Sequence, residues 1–218
     1  MMYLSYEDME IIGQSVLHDY AKSISIPVDI NSFAQDYLGL KVLYRKLSDN
    51  GRILGLTTYK GAVIALPVAG GSVLCSVPED TILLDERLLH DCNHRRERFT
   101  LAHECAHHIL ARMEAKEAGR NLNRDTTPGQ VLSCRKLKTT NDWMEWQANS
   151  LASILLVPKY ELAELIIHRL APLAVTIYKI NINSLVRSSV KWLADLFDVS
   201  IKAMAIRLNG MGFAIAPA

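Results

Sequence analysis

The sequence lacks an excess of charge of either sign. Its 24 lysine and arginine residues are balanced by 23 aspartate and glutamate residues, and the formal net charge is +1 at pH 7. Nothing in this balance requires nucleic acid, an anionic membrane or an acidic substrate as a partner. Any such partner would have to bind a local patch of charge.

Cysteine is also scarce. The four cysteines, Cys75, Cys92, Cys105 and Cys134, are widely spaced and form no CxxC pair. A disulfide framework or a structural zinc knuckle needs more closely spaced cysteines than these. We therefore expect free thiols that serve as packing residues in a reducing cytoplasm.

Long apolar runs are missing as well. The strongest ones, "LASILLVP" at residues 151–158 and "LAPLAVTIY" at residues 170–178, are far shorter than the roughly 20 residues that cross a bilayer. The opening residues "MMYLSYEDMEII" carry acidic side chains where a secretory signal carries basic ones. The sequence thus predicts a cytoplasmic protein with no membrane partner.

The chain does contain enough apolar residues to form a hydrophobic core. Half of its 218 residues are hydrophobic and 22% are charged. This composition is typical of a globular protein with one sizeable core, with or without a small appended subdomain.

Helix signals open the chain. Ser5 followed by Asp8 predicts a helix start, and apolar residues at helical spacing continue to Tyr20. The stretch "VDINSFAQDYLG" predicts a second, shorter helix that ends at Gly39.

The spacing of apolar residues then changes from helical to alternating, which predicts a small antiparallel sheet. The runs "LKVLYRKL", "GRILGLTTY" and "GAVIAL" are separated by Asp49-Asn50-Gly51 and by Lys60-Gly61, which are hairpin turn signals. "DTILLDE", residues 80–86, is predicted to add an edge strand.

The second half of the sequence is predicted to be mainly helical. Residues 116–141 are rich in Gly, Pro, Asn and Thr, which predicts a long loop or insertion. "DWMEWQANSLASILLVP" predicts a helix capped by Asn141 or Asp142 and ended by Pro158. Helices, then strands, then helices indicate an α+β fold. We expect a first domain over residues 1–159 and a helical subdomain over residues 160–218.

The segment "RERFTLAHECAHHIL" contains the sequence His-Glu-x-x-His. On a helix, His103 and His107 lie one turn apart on the same face, so both imidazoles can bind a single ion. Glu104 is rotated by about 100° from His103 and falls outside that pair of ligands. The spacing predicts a metal-hydrolase site with Glu104 as the base.

A catalytic zinc needs a third protein ligand and one open position. Glu145 is a carboxylate within a helix that is otherwise rich in Trp, Leu and Ile, where an uncompensated charge is costly. It is therefore the candidate for the third ligand. The alternative is a carboxylate near a helix N-terminus that interacts with the helix dipole.

The two segments "RERFTLAHECAHHIL" and "EWQANSLASILLVP", in this order after a short sheet, resemble the ImmA/IrrE-type metallopeptidase family. Its pattern is RxxFTxAHExxH followed by ExxANxFAxxLLxP. The chain departs from it at Leu151, where phenylalanine is usual, and at Cys105-Ala106, which replace Leu-Gly.

The resemblance implies a zincin-like helical core in which His103, His107 and Glu145 hold Zn²⁺ and Glu104 is the general base. It also implies a protein substrate, a cytoplasmic helix-turn-helix repressor or an antitoxin-like partner encoded on a mobile element or in a stress-response locus. Mn²⁺ and Fe²⁺ suit the same set of ligands. For Asn149, one turn after Glu145, two roles stay open: an amide that orients Glu145 from outside the ligand set, or an amide that packs between helices.

The C-terminal stretch "VKWLADLFDVSIKAMAIRL" is typical of a helix-turn-helix, which raises DNA binding as a possibility. Residues 187–210 hold only four basic and two acidic side chains, a weak footprint for phosphate contacts. A helical subdomain that docks the protein substrate is the favoured interpretation. The competing hypothesis for the whole chain is a DNA- or protein-binding regulatory module with a structural or sensory metal site.

Overall fold

The computed structural model describes residues 3–21, 24–90, 94–117, 139–170, 184–185 and 187–215. The chain divides into two compact units, unit 1 with Met1–Leu4 and Ile30–Ala152, and unit 2 with Ser5–Asp29 and Ser153–Ala218. Helices and small sheets occur together, which confirms the α+β class. The predicted domain division after residue 159 stays a prediction, whereas the compact units divide after Ala152.

The central sheet of unit 1 has three strands. They are β1 (Lys41–Arg45), β2 (Gly55–Thr58) and β5 (Thr81–Asp85), in the order β1-β5-β2. Strand β5 runs parallel to β1 and antiparallel to β2. The prediction that β5 is an edge strand of an antiparallel sheet is wrong. All five of its residues are buried, and its apolar run Ile82-Leu83-Leu84 is typical of a strand at the centre of a sheet.

A separate hairpin consists of β3 (Ala62–Val68) and β4 (Gly71–Val77). Gly70 at its turn has φ +85°, which glycine adopts without strain. Leu66 and Val77 on this hairpin pack with Leu83 of the central sheet.

The hairpins predicted at Asp49-Asn50-Gly51 and Lys60-Gly61 are therefore wrong. Strand β5 lies between β1 and β2, and β2 and β3 belong to different sheets. Turn residues predict where the chain bends, but the partner of each strand depends on contacts from further along the chain.

The helices of this part of the chain are α2 (Ile30–Ser32, followed by a π-helical turn at Phe33–Tyr37), α3 (Arg87–His90), α4 (His94–Glu117) and α5 (Thr140–Leu156). Helix α4 packs on β2 and β5. Residues 118–138 of the predicted 116–141 loop lie outside the described residues, while 116–117 and 140–141 are helical.

The start of α5 differs by two residues from the prediction. Thr139, and not Asn141 or Asp142, is in the capping position. The Thr139 Oγ1 accepts from the Asp142 N–H at 3.1 Å, and the Thr139 N–H donates to the Asp142 Oδ2 at 2.9 Å.

Unit 2 is built from helices. They are α1 (Tyr6–Tyr20), α6 (Lys159–Leu165, followed by a π-helical turn at Ile166–Leu170), α7 (Arg187–Leu196) and α8 (Ile201–Gly210), with a parallel pair of short strands, β6 (Ser184–Leu185) and β7 (Ala214–Ile215). Ser5 and Asp8 form the predicted capping box at the start of α1. Helices α7 and α8 are joined by a short turn, and their identity as a helix-turn-helix stays a prediction.

Arg207 of α8 is fully buried in unit 2. Its Nη1 and Nη2 contact the Glu10 carboxylate at 2.5 and 2.7 Å, and Nη1 also donates to the Tyr6 hydroxyl at 2.7 Å. Nε donates to the Val157 carbonyl at 2.9 Å. The side chain is thus fully used inside the protein and cannot reach a phosphate group.

Within the described residues, no helix is both long enough and apolar enough to cross a membrane.

Candidate metal centre

Helix α4 places His103 and His107 side by side. Their Nε2 atoms are 3.0 Å apart, and the ring centroids are separated by 4.5 Å with the planes nearly perpendicular. Residues four apart on a helix share a face, which is why the two imidazoles converge. His103 is buried and His107 is partly exposed.

Glu145 of α5 points at both imidazoles. Its Oε2 lies 3.3 Å from the His103 Nε2, and its Oε1 lies 3.3 Å from the His107 Nε2. The side chain is 1% exposed, so it is not a solvated carboxylate at the start of a helix. The structure therefore brings together the three side chains that the sequence proposed as ligands.

These three side chains fit a small divalent cation. Their candidate ligand atoms all lie within 4.8 Å of one another. Ligand atoms at the usual zinc distances in a tetrahedral site are separated by about 3.4 Å. The two Nε2 atoms are 3.0 Å apart, and each lies 3.3 Å from an oxygen of Glu145, so all three separations are close to that value. Two imidazoles and a carboxylate suit zinc, manganese and iron alike, so the donor set does not select the metal.

The electrostatics of this cluster favour an ionised Glu145. Burial alone raises the pKa of Glu145, but hydrogen bonds from His103 and His107 outweigh it and lower the pKa to about 2. For His103, burial lowers the pKa, whereas the hydrogen bond to Glu145 and the charge of Glu104 raise it, and the net direction is upward. The Glu145 carboxylate is therefore ionised at neutral pH, and its negative charge favours a cation beside the two imidazoles.

Asn149 lies one turn after Glu145 on α5. It adds a minor interaction that raises the pKa of His103. Among the described residues, however, its Nδ2 and Oδ1 make no hydrogen bond, and neither does the His103 Nδ1. The hydrogen bond that the orienting role requires is thus not seen, and the packing role is the one left for Asn149.

Glu104 lies outside the group of three ligands, as its place on the helix predicts. It is 3% exposed, and its Oε2 accepts a hydrogen bond from the Thr57 hydroxyl at 2.7 Å. Its charge acts on His103, so its carboxylate is close to the ligand cluster. The position is suitable for a base beside a metal-bound water.

Thr57 and the neighbouring Gly55 were not identified from the sequence. The strand "GLTT" alternates, which places residues 55 and 57 on one face, but nothing in the sequence says that this face meets Glu104. Only the packing of α4 on β2 reveals the contact.

His108, which follows His107 on α4, is buried. Burial lowers its pKa to about 4, assisted by Arg112 and opposed by Asp80, whose Oδ1 is 3.9 Å from the His108 Nδ1. The ring stacks on Tyr59 with centroids 6.1 Å apart. His108 is thus a neutral packing residue at neutral pH.

The buried Cys105 also confirms the prediction of a packing residue, and burial raises the pKa of its thiol. Cys134, which the sequence predicts to be a free thiol, lies outside the described residues.

No family model and no curated protein matches the chain. Among solved structures, the chain is similar to one described as "Mycobacterium tuberculosis transcriptional regulator", with 12% sequence identity and a TM-score of 0.45. The match covers 94% of this chain and 52% of that one, so the chain spans about half the length of this neighbour. A likeness at this level carries no argument about function.

Proposed function

We propose that the protein is a zinc-dependent endopeptidase of the ImmA/IrrE type. One observation carries the proposal. His103, His107 and Glu145 converge from two helices on a point that suits one cation, and Glu104 lies next to them without belonging to the ligand set. A site that only holds a metal for structural reasons has no need of a buried carboxylate in that position.

The chemistry follows from the roles of these side chains. A zinc ion held by His103, His107 and Glu145 would lower the pKa of a bound water towards 7 and polarise a peptide carbonyl. Glu104 takes a proton from the attacking water on its carboxylate and then passes this proton to the leaving amine. The peptide C–N bond breaks, and the water oxygen becomes part of the new carboxyl group.

The substrate of this proposal is a cytoplasmic helix-turn-helix repressor or an antitoxin-like protein. The support is the resemblance of both motifs to the family, together with the favoured interpretation of the C-terminal helices as a docking subdomain. On α7 and α8, Trp192, Ile201 and Ile206 are 42%, 42% and 59% exposed. Exposed apolar side chains of this size suit contact with another protein.

The test uses zinc-loaded protein and a library of peptides derived from a bacterial proteome, incubated in water enriched in ¹⁸O. Hydrolysis places ¹⁸O in each new C-terminal carboxyl group, which mass spectrometry detects. We expect labelled products from the wild type, and a fall in rate of roughly 100- to 10,000-fold for Glu104→Gln. Zinc content should be unchanged because Glu104 is not a ligand.

Glu114→Gln is the matched control, since it removes a carboxylate from the same helix at a partly exposed position. It should cleave like the wild type. Absence of labelled products from the wild type, or full activity of Glu104→Gln, would contradict the peptidase proposal.

A regulatory DNA-binding module with a sensory metal is the alternative. Fewer basic side chains are available for phosphate contacts than the sequence suggests, because Arg207 is buried against Glu10. Lys191 and Lys202 remain exposed. A gel-shift assay at stated salt with Lys191→Ala and Lys202→Ala tests this alternative. Sequence-specific binding that these substitutions weaken would favour the DNA-binding module over the peptidase.

A further inference from the structure

Two residues of strand β2, Gly55 and Thr57, face helix α4. Successive side chains on a strand alternate between its faces, so residues 55 and 57 share one face. Both are buried, and both lie against Glu104. Gly55 pairs with Leu84 in the central sheet, and Thr57 pairs with Ile82, which fixes the position of this face.

Thr57 binds one oxygen of Glu104. Its hydroxyl lies 2.7 Å from the Glu104 Oε2 and 3.4 Å from the Glu104 backbone oxygen. A hydroxyl has one proton to donate, and the shorter distance to a charged acceptor makes the carboxylate its main partner. The hydroxyl therefore binds Oε2 of Glu104 and does not bind Oε1.

Gly55 supplies the space for the same carboxylate. A Cβ added at Gly55 would lie 2.8 Å from both the Cγ and the Cδ of Glu104. This is closer than carbon atoms approach without a shift, so any larger residue at position 55 would push the carboxylate away. Its φ lies outside the left-handed region, and space is therefore the reason that glycine suits this position.

We propose that Thr57 is a positioning residue that, together with the bare Cα of Gly55, holds the Glu104 carboxylate in place for proton transfer. The inference rests on the proposed peptidase function. Glutamate has a long side chain with several rotatable bonds, and a general base is effective only when it stays within hydrogen-bonding reach of the proton it takes. The hydrogen bond from Thr57 and the close contact with Gly55, both from the same face of β2, restrict that motion before substrate binds.

Four variants separate this role from a general effect on the fold. Thr57→Val removes the hydroxyl with almost no change of shape, and Thr57→Ser keeps the hydroxyl. Gly55→Ala displaces the carboxylate without removing a polar group. Thr58→Val is the matched control, because Thr58 is equally buried in β2 but its hydroxyl binds the Pro78 and Thr81 carbonyls instead.

The first measurement uses a peptide that the wild type cleaves in the ¹⁸O experiment. For Thr57→Val we expect kcat to fall by roughly 10- to 100-fold, as for loss of a hydrogen bond to a charged group, with KM and zinc affinity unchanged. Gly55→Ala should lower kcat in the same way. Thr57→Ser should recover most of the wild-type kcat, and Thr58→Val should keep it.

The second measurement does not depend on activity. In protein labelled with ¹³C at the glutamate side-chain carboxyl, the Glu104 resonance is the one that Glu104→Gln removes. Thr57→Val and Gly55→Ala should shift it, Thr57→Ser should bring it back towards the wild-type position, and Thr58→Val should leave it in place.

The outcomes distinguish the two proposals. An unmoved resonance in Thr57→Val would show that the hydrogen bond does not exist in solution. A moved resonance with unchanged kcat would overturn the positioning role while leaving the peptidase proposal intact. If the wild type cleaves no peptide, the peptidase proposal fails and the positioning role fails with it, whereas the ¹³C shifts still report on the contact itself.

Discussion

The Glu145 Oε1 lies 3.3 Å from the His107 Nε2, although the two residues belong to separate helices. The Glu145 side chain is 1% exposed, so the carboxylate is withheld from solvent and faces the imidazoles of α4 instead. This relationship converts a pair of histidines on one helix into a site with three candidate ligands. It also leads to the first prediction.

Glu145→Gln should weaken zinc binding while the protein stays folded. The amide has nearly the shape of the carboxylate, but it has no negative charge and is a poor ligand for zinc. The loss in zinc affinity should exceed the roughly 10- to 100-fold that follows from removing a hydrogen-bond partner of a metal ligand. Competition with a zinc-binding dye measures it, and Glu114→Gln, a partly exposed carboxylate on α4, is the control. Wild-type affinity in Glu145→Gln would exclude Glu145 as a ligand.

Zinc affinity should rise with pH. The metal binds only the unprotonated imidazole, and the pKa of His103 in the metal-free protein is raised above its ordinary value of 6.5, because Glu145 and Glu104 outweigh the opposite effect of burial. Protonated His103 therefore competes with zinc below the raised pKa, and the competition ends above it.

Calorimetry in buffers of different ionisation enthalpy at pH 6 to 8 measures the protons released on zinc binding. Release should be greatest at the acid end of this range. An affinity that is independent of pH, with no proton release, would contradict the ion pair between His103 and Glu145.

Arg207→Met should destabilise the protein by about 3–5 kcal/mol, since it leaves the buried Glu10 carboxylate without its charge partner. The double variant Glu10→Leu, Arg207→Met should recover part of this loss, because it removes both charges. Thermal unfolding of the metal-free protein measures the effect. Lys202→Met, at an exposed position on the same helix, should change the stability by about 0.5 kcal/mol or less. An Arg207→Met protein as stable as the wild type would contradict the ion pair between Arg207 and Glu10.

Asp85 should make stability depend on pH in acid. Burial raises the pKa of Asp85, but hydrogen bonds from the Arg87 side chain and from the Leu47 N–H lower it below its ordinary value of 3.8. A lowered pKa in the folded state contributes stability that is present above pH 3.8 and is lost as the pH falls below it.

Unfolding of metal-free protein between pH 3 and 7 tests this contribution. The difference in stability between the wild type and Asp85→Asn should shrink below about pH 3.8. Asp49→Asn, which removes an exposed partner of Lys46, should show no such change. An Asp85→Asn protein with the same pH profile as the wild type would argue against these hydrogen bonds.

The sequence was sufficient to predict those features that depend on residues close together along the chain. Capping acts over one helical turn and predicts the helix start at Ser5. Helical periodicity likewise predicts that His103 and His107 share a face and that Glu104 lies apart from them. The candidate ligand Glu145 came from a different argument, since a carboxylate in an apolar helix needs a partner.

Tertiary structure decided the contacts between distant segments. The place of β5 between β1 and β2 could not be obtained from turn residues, because strand order depends on which faces the helices cover. The burial of Arg207 against Glu10 and the contact of Thr57 with Glu104 join residues far apart in the sequence. Periodicity reports which side of an element is apolar, but it does not identify the partner that packs there, and for that reason only the folded chain revealed these pairs.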